Sequence, residues 1–79
     1  MTVRVLLFAS WADAFGSPSV DLDLADGATA ADVVAALRTR VPDAPLPRPS
    51  IAINRSIAPR SALVRAGDEV AVIPPVAGG

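Results

Sequence analysis

The stretch from residue 30 to residue 41 constrains the fold most, because it has the periodicity of a full-length helix. Its apolar positions follow a spacing of three to four residues and therefore share one side of a helix: Ala30, Val33, Val34, Leu37 and Val41. Thr29 and Asp32 resemble a capping box that starts the helix, and Pro42 ends it. This single helix is therefore expected to cover a sheet that the shorter segments around it build.

The first strand is predicted over residues 2–9, which are rich in β-branched and aromatic types. Alternation gives it two faces, one with Val3, Val5 and Leu7 and one with Arg4, Leu6 and Phe8. Arg4 marks the second face as the wetter one. Phe8 on that face is either covered by the segment that follows or free to bind a partner.

A short helical turn is predicted over residues 10–15, where Trp11 and Phe15 would share one face. Residues 19–24 then alternate between apolar and polar, as in a half-buried antiparallel strand that forms a hairpin with the first. Asp21 and Asp23 lie on the solvent side of this strand, and we interpret them as solubilising charges rather than a metal or acid/base pair.

The second half of the chain predicts three shorter strands after a connector, residues 42–49, that contains four prolines. These strands cover residues 50–54, residues 57–58, which Pro59 stops as on a sheet edge, and residues 69–73. Leu63 is expected to point inward. The first and last strands are the most apolar, so we expect them to be parallel neighbours in the centre of the sheet.

This order of elements predicts an α+β fold in which one main helix packs across one face of a small mixed sheet. We expect residues 1–73 to form this single domain and residues 74–79 to form an extended, flexible tail. The sequence shows no apolar run that could span a membrane or serve as a signal peptide, so a cytoplasmic location is expected.

The composition argues against an autonomous catalytic centre. The chain has neither Cys nor His, which removes thiol nucleophiles, imidazole bases and the usual zinc ligands. A net charge of −1 gives no long-range attraction to nucleic acid or to an anionic membrane. We therefore expect no bound metal or cofactor in the isolated chain.

The tail, Pro74-Pro75-Val76-Ala77-Gly78-Gly79, is the candidate for chemistry. Two prolines fix φ and favour an extended course, while the two terminal glycines carry no side chains. A narrow channel in a partner could therefore admit the backbone up to the carboxyl carbon. We interpret the terminal carboxylate of Gly79 as the reactive group.

With this element order and tail, the chain resembles the ubiquitin-like β-grasp sulfur carriers, the MoaD/ThiS family, and is most similar to its molybdopterin synthase branch. Four segments carry the resemblance: residues 5–9, Asn54, residues 67–70 and residues 74–79. The resemblance implies that a MoeB-like activating enzyme adenylates the Gly79 carboxylate with ATP, and that a sulfurtransferase helps convert it to a thiocarboxylate. The loaded tail would then give its sulfur to cyclic pyranopterin monophosphate inside a MoaE-like large subunit, in a heterotetramer.

The same resemblance implies an apolar partner-binding surface on the sheet face that the helix leaves open. By motif position it includes Phe8, Ile57 and Ile73, together with the tail residues Pro74, Pro75, Val76 and Ala77. The alternative is that these side chains only touch their own loops. Arg55, Arg60 and Arg65 lie nearby in sequence and either pair with acids on a partner or are simply solvated.

Three other functions stay open at this point. A sulfur carrier for thiamine, cysteine or tRNA thiolation would use the same tail chemistry. A ubiquitin-like protein modifier would join Gly79 to lysines of other proteins, although the absence of Lys rules out chains built on its own side chains. A plain interaction domain with an accidental Gly-Gly end is the third.

Overall fold

The structure, a computed structural model, describes residues 1–75 of the chain. These residues form a mixed sheet of five strands and two helices. The elements in chain order are β1 (Thr2–Leu7), α1 (Ala9–Phe15), β2 (Ser19–Asp23), α2 (Ala30–Arg40), β3 (Ser50–Ile53), β4 (Ser56–Ala58) and β5 (Glu69–Ile73). This is the predicted α+β, ubiquitin-like β-grasp architecture. None of the described helices is long and apolar enough to cross a membrane.

The strand order across the sheet is β2-β1-β5-β3-β4. β5 pairs in parallel with β1 and antiparallel with β3, while β1 with β2 and β3 with β4 form antiparallel pairs. The predicted parallel pairing of the first and last strands is therefore confirmed. The predicted edge position of the strand that Pro59 stops is also confirmed.

The core lies between the sheet and α2, and alternation along the strands decides which side chains enter it. The predicted inner face of β1 is buried, as are Val70 and Val72 of β5. They pack against the stripe of α2, in which Val33 and Leu37 have no exposed surface. Burying each such side chain contributes about 1.5–3 kcal/mol, so this face holds the sheet and helix together.

The short turn predicted after β1 is a seven-residue helix that adds to the core. Trp11 is completely buried, and the guanidinium carbon of Arg38 lies 5.1 Å from the centre of its ring. Gly16 ends α1 with a φ of 64°, a left-handed conformation that glycine adopts without steric cost. The core therefore depends on two helices and not on α2 alone.

Both ends of α2 follow the sequence signals. The Thr29 hydroxyl accepts a hydrogen bond from the backbone N–H of Asp32, and the Asp32 carboxylate accepts one from the backbone N–H of Thr29. The helix ends at Arg40, two residues before Pro42. Because the capping box satisfies two of the free N–H groups at the helix start, it fixes where α2 begins.

The prediction that Leu63 points inward is wrong. Its side chain is 55% exposed, whereas the next residue, Val64, is 2% exposed and belongs to the core. The Val64 backbone N–H donates to the Ala28 carbonyl at 2.9 Å, and Leu63 forms an antiparallel bridge with Thr29. This pairing fixes the alternation, so that Val64 faces inward and Leu63 outward.

Candidate functional site

The strand that leads to the tail lies in the centre of the sheet, with β1 on one side and β3 on the other. It ends at Ile73 and is followed by the half-buried Pro74 and the exposed Pro75. Gly78 and Gly79, to which the sequence assigns the transfer chemistry, lie outside the described residues, as do the predicted partner-binding residues Val76 and Ala77. The described residues therefore include the base of the tail and the surface around it, but not its end.

A hydrogen-bonded clamp fixes the start of β5 against the turn between β3 and β4. The Asn54 backbone N–H donates to the Glu69 carbonyl at 2.8 Å, and the Glu69 N–H donates to the Asn54 side-chain oxygen at 3.0 Å. The Asn54 amide also donates to the Asp68 carboxylate at 3.0 Å. Because the register of β5 is set here, the point at which the tail leaves the sheet is set too.

Asp68 is the acid of this clamp. Its carboxylate accepts a hydrogen bond from the Arg65 backbone N–H at 2.8 Å as well as the one from Asn54. These two hydrogen bonds, the one from Arg65 first, stabilise the charged form and lower the pKa of Asp68. The residues that carried the family resemblance, Asn54 and residues 67–70, therefore have a structural role in positioning β5.

The strand register brings apolar side chains into a row on the sheet face that lies opposite the core. Leu6 is paired with Ala71, Ala71 with Ala52, and Ala52 with Ile57. Directly paired residues share a face, so these four side chains cross four strands in one line. Ile73, two residues beyond Ala71 on β5, lies on the same face and adjoins this row.

Phe8 extends this surface from β1. It keeps the extended conformation of the strand, with φ −134° and ψ 149°, so alternation places it on the same face as Leu6. The next residue, Ala9, has a φ of 50°, which turns the chain sharply. This turn leaves Phe8 47% exposed while Trp11, three residues later, enters the core.

We call this surface the open-face patch and define it by six residues: Leu6, Phe8, Ala52, Ile57, Ala71 and Ile73. The three side chains predicted to lie on the open sheet face are thus found on it, and Ile57 is 70% exposed. Alternation predicts Leu6 on this face, but neither Leu6 nor Ala71 is predicted to take part in binding. Ala52 was missed because its place depends on the pairing of β3 with β5, for which the sequence carries no local signal.

The opposite end of the same sheet face is polar. Arg4 and Asp21 form an ion pair at 3.5 Å between largely exposed side chains, which contributes little to stability. The Thr2 hydroxyl donates to Asp23 at 3.0 Å. The predicted role of the two aspartates as solvated surface charges agrees with these contacts, and the apolar end of the face is the one from which the tail leaves.

Polar and acidic side chains of the described residues lie at the surface and are dispersed. No buried side chain among them is polar or charged, and none of their carboxylates cluster in a way that could hold a metal ion. Residues 1–75 provide a hydrogen-bonded base for β5 and an apolar surface beside it.

The sequence that forms this strand, patch and tail matches a known protein family. Residues 5–79 match the ThiS family, so the match includes β5, the open-face patch and the tail. The chain belongs to the ThiS/MoaD family of sulfur carriers. The predicted family resemblance is confirmed.

Individual proteins that are similar to this ThiS/MoaD-family chain are consistent with the family assignment. It is 33% identical to the molybdopterin synthase sulfur carrier subunit of Arabidopsis thaliana over 98% of this chain and 82% of that protein. The crystal structure of small archaeal modifier protein 1 from Haloferax volcanii superposes with a TM-score of 0.84 and 28% identity, covering 95% of this chain and 98% of that one. A complex of subunits 1 and 2 of the molybdopterin-converting factor from Helicobacter pylori contains the same fold, with a TM-score of 0.67, 21% identity and full coverage of both chains.

Proposed function

We propose that this chain is the sulfur-carrier subunit of a molybdopterin synthase and that the Gly79 carboxylate is its reacting group. The observation that carries the proposal is the position of β5, a central strand that ends beside an apolar patch in which Phe8 and Ile57 are exposed, and that leads directly into the tail. The molybdopterin synthase carrier from Arabidopsis thaliana, which matches nearly the whole chain, supports the choice of pathway.

In the proposed cycle, a MoeB-like activating enzyme transfers AMP from ATP to the Gly79 carboxylate and releases pyrophosphate. The persulfide of a sulfurtransferase then displaces AMP to form an acyl disulfide, and a thiol reductant supplies the two electrons that cleave its S–S bond and leave a terminal thiocarboxylate. The thiocarboxylate sulfur bonds to cyclic pyranopterin monophosphate, and water then hydrolyses the acyl C–S bond, which leaves the sulfur on the pterin and restores the carboxylate. Adenylation is needed because a carboxylate is a poor electrophile until one of its oxygens becomes part of a good leaving group.

The role of the chain itself is to deliver the reacting end of the tail to its partner. Residues 1–73 act as the domain, and residues 74–79 act as a tail that reaches into the partner. Pro74 and Pro75 have no N–H to donate to a strand partner, so they favour the end of sheet pairing after Ile73. Gly78 and Gly79 let the backbone pass through a channel too narrow for side chains. The cycle is proposed to take place in the cytoplasm.

The open-face patch is the proposed docking surface for a MoaE-like large subunit. Phe8 and Ile57 are large apolar side chains with much of their surface exposed, which is typical of an interaction site. The patch lies at the end of the sheet where β5 ends, so a partner that covers it would also meet the tail. The two-subunit molybdopterin-converting factor from Helicobacter pylori supports such an assembly, and we propose a heterotetramer with the large subunit.

A one-residue extension of the tail tests this function. If the Gly79 carboxylate is the reacting group, adding an alanine after Gly79 should abolish sulfur transfer in a reconstituted synthase while leaving the fold unchanged. The measurement is dithiolene formation from cyclic pyranopterin monophosphate, with the unextended protein as control. Sulfur transfer that survives the extension would remove the terminal carboxylate from the mechanism.

A protein modifier is the second candidate, because the small archaeal modifier protein 1 from Haloferax volcanii has a closely similar structure. In this role Gly79 would be joined to lysines of other proteins, and the absence of Lys in the chain excludes chains built on its own side chains. Recovery of many host proteins joined to Gly79 by isopeptide bonds would favour this role. A carrier for thiamine, cysteine or tRNA thiolation would instead differ from the first proposal only in the sulfur acceptor.

A further inference from the structure

Three arginines converge beside the base of the tail. Arg48 and Arg60 line a cleft of about 360 Å³ whose wall includes Ile57 and Pro75. The same two arginines, with Arg38, line an adjoining cleft of about 330 Å³. We call the two together the arginine cleft. The cleft thus adjoins the open-face patch through Ile57 and the tail through Pro75.

The positive charge of this cleft has no acidic partner in the described part of the chain. None of the residues that line it is acidic, and the one ion pair found within residues 1–75 joins Arg4 to Asp21. The chain as a whole has a net charge of −1, so an unpaired group of three arginines is a local departure from its average. A complementary surface on a partner would therefore be acidic.

Two of the guanidinium groups are held in place before any partner arrives. Arg60 donates to the Pro49 carbonyl at 2.9 Å. Arg38 donates to the Leu46 carbonyl at 3.1 Å and stacks over Trp11. Each guanidinium has five donors, so most of them stay available, and the entropy lost on pairing with a carboxylate is reduced.

We propose that the arginine cleft binds a carboxylate-bearing segment of the large subunit, an aspartate or glutamate that enters it beside Ile57. This inference rests on the proposed function, since it names a second contact of the same partner. Continuity with the open-face patch favours a protein carboxylate over a free phosphate, because a partner that covers Ile57 also lies over the cleft. The apolar patch then supplies contact area, and the arginines select an acidic partner and its orientation.

Charge reversal at Arg48 tests the proposal, because this exposed side chain makes no hydrogen bond within the described residues and its change should leave the fold intact. Binding to the large subunit from the same organism is measured by calorimetry at low and high NaCl. Arg48→Glu should weaken binding about tenfold or more at low salt and by less at high salt, because salt screens the lost attraction. Arg60→Glu should act in the same direction.

Arg55→Glu is the matched control, since it makes the same charge change at the turn beside Glu69, at the other end of β5. It should leave affinity within about twofold of wild type, as expected of an exposed charge outside the interface. Equal effects of Arg48→Glu and Arg55→Glu, or no effect of Arg48→Glu while wild type binds, would overturn this inference and leave the proposed function standing. Failure of wild type to bind the large subunit would overturn both.

A binding measurement in phosphate buffer distinguishes a partner carboxylate from a free phosphate as the anion that the arginine cleft binds. Replacing part of the chloride by inorganic phosphate at constant ionic strength should leave the affinity of the complex unchanged. Loss of the complex in phosphate, with loss of that sensitivity in Arg48→Glu, would show a phosphate site and overturn the assignment to a partner carboxylate.

Discussion

Replacing Ile57 by alanine separates docking from folding, because this side chain is 70% exposed in the free protein. Alanine lacks three of the four side-chain carbons of isoleucine. At about 0.8 kcal/mol for each carbon that becomes fully buried, the already buried part of the side chain contributes about 0.7 kcal/mol to folding. The free energy of unfolding should therefore fall by no more than that amount.

The effect on binding should be larger. If the large subunit covers the exposed 70% of Ile57, the same three carbons contribute about 1.7 kcal/mol to the complex. This corresponds to a dissociation constant that rises about 20-fold in Ile57→Ala. A partner that covers only part of the side chain would produce a proportionally smaller rise.

Leu63→Ala provides the matched control, since Leu63 is also an exposed aliphatic residue, at 55%, but bridges Thr29 at the start of α2. The affinity of each variant for the large subunit is measured by titration calorimetry, and the stability of each by urea unfolding. Leu63→Ala should bind as wild type does. Equal losses of affinity in the two variants, or an unchanged affinity in Ile57→Ala, would refute the assignment of the open-face patch as the docking surface.

Two further predictions concern the clamp that positions β5. Arg55 has a φ of 71° in a two-residue turn, a conformation that glycine adopts without strain. Arg55→Gly should therefore raise the free energy of unfolding by about 0.5–1 kcal/mol, because the relief of strain exceeds the entropy that glycine adds to the unfolded chain. Destabilisation of this variant in urea titrations would contradict the prediction. The pKa of Asp68 is lowered in the folded state, so its contribution to stability is present above the usual aspartate pKa and is lost as the pH falls through the lowered value. Unfolding titrations from neutral to acid pH should therefore show a smaller acid-induced loss for Asp68→Asn than for wild type, and identical pH profiles would exclude this role.

The sequence predicted the elements of the fold because their signals are local. Alternation in β1 and β2, the Thr29–Asp32 capping box and the position of Pro42 each act within a few residues, and the structure follows all of them. The central parallel pairing of β1 and β5 was also predicted, because strands buried on one face and covered by neighbours on both sides are the most apolar ones.

What the sequence could not show depends on contacts between distant residues. Leu63 and Val64 are neighbouring apolar residues, and only the pairing with Ala28 and Thr29 decides which of them is buried. Trp11 was predicted in a helical turn, but its complete burial arises in a core that residues of several distant elements form, and the Arg38 side chain of α2 lies over its ring. Likewise, Arg48 and Arg60 are separated by two strands in sequence and meet only because β3 and β4 form a hairpin.

The central claim is that the Gly79 carboxylate carries sulfur, and intact mass spectrometry of the protein from its own host tests it most directly. We predict a population in which one oxygen is replaced by sulfur, with fragmentation placing the change at Gly79. We also predict that this population disappears when the activating enzyme is deleted. A protein that retains only its carboxylate mass, under conditions in which the host makes molybdenum cofactor, would contradict the account.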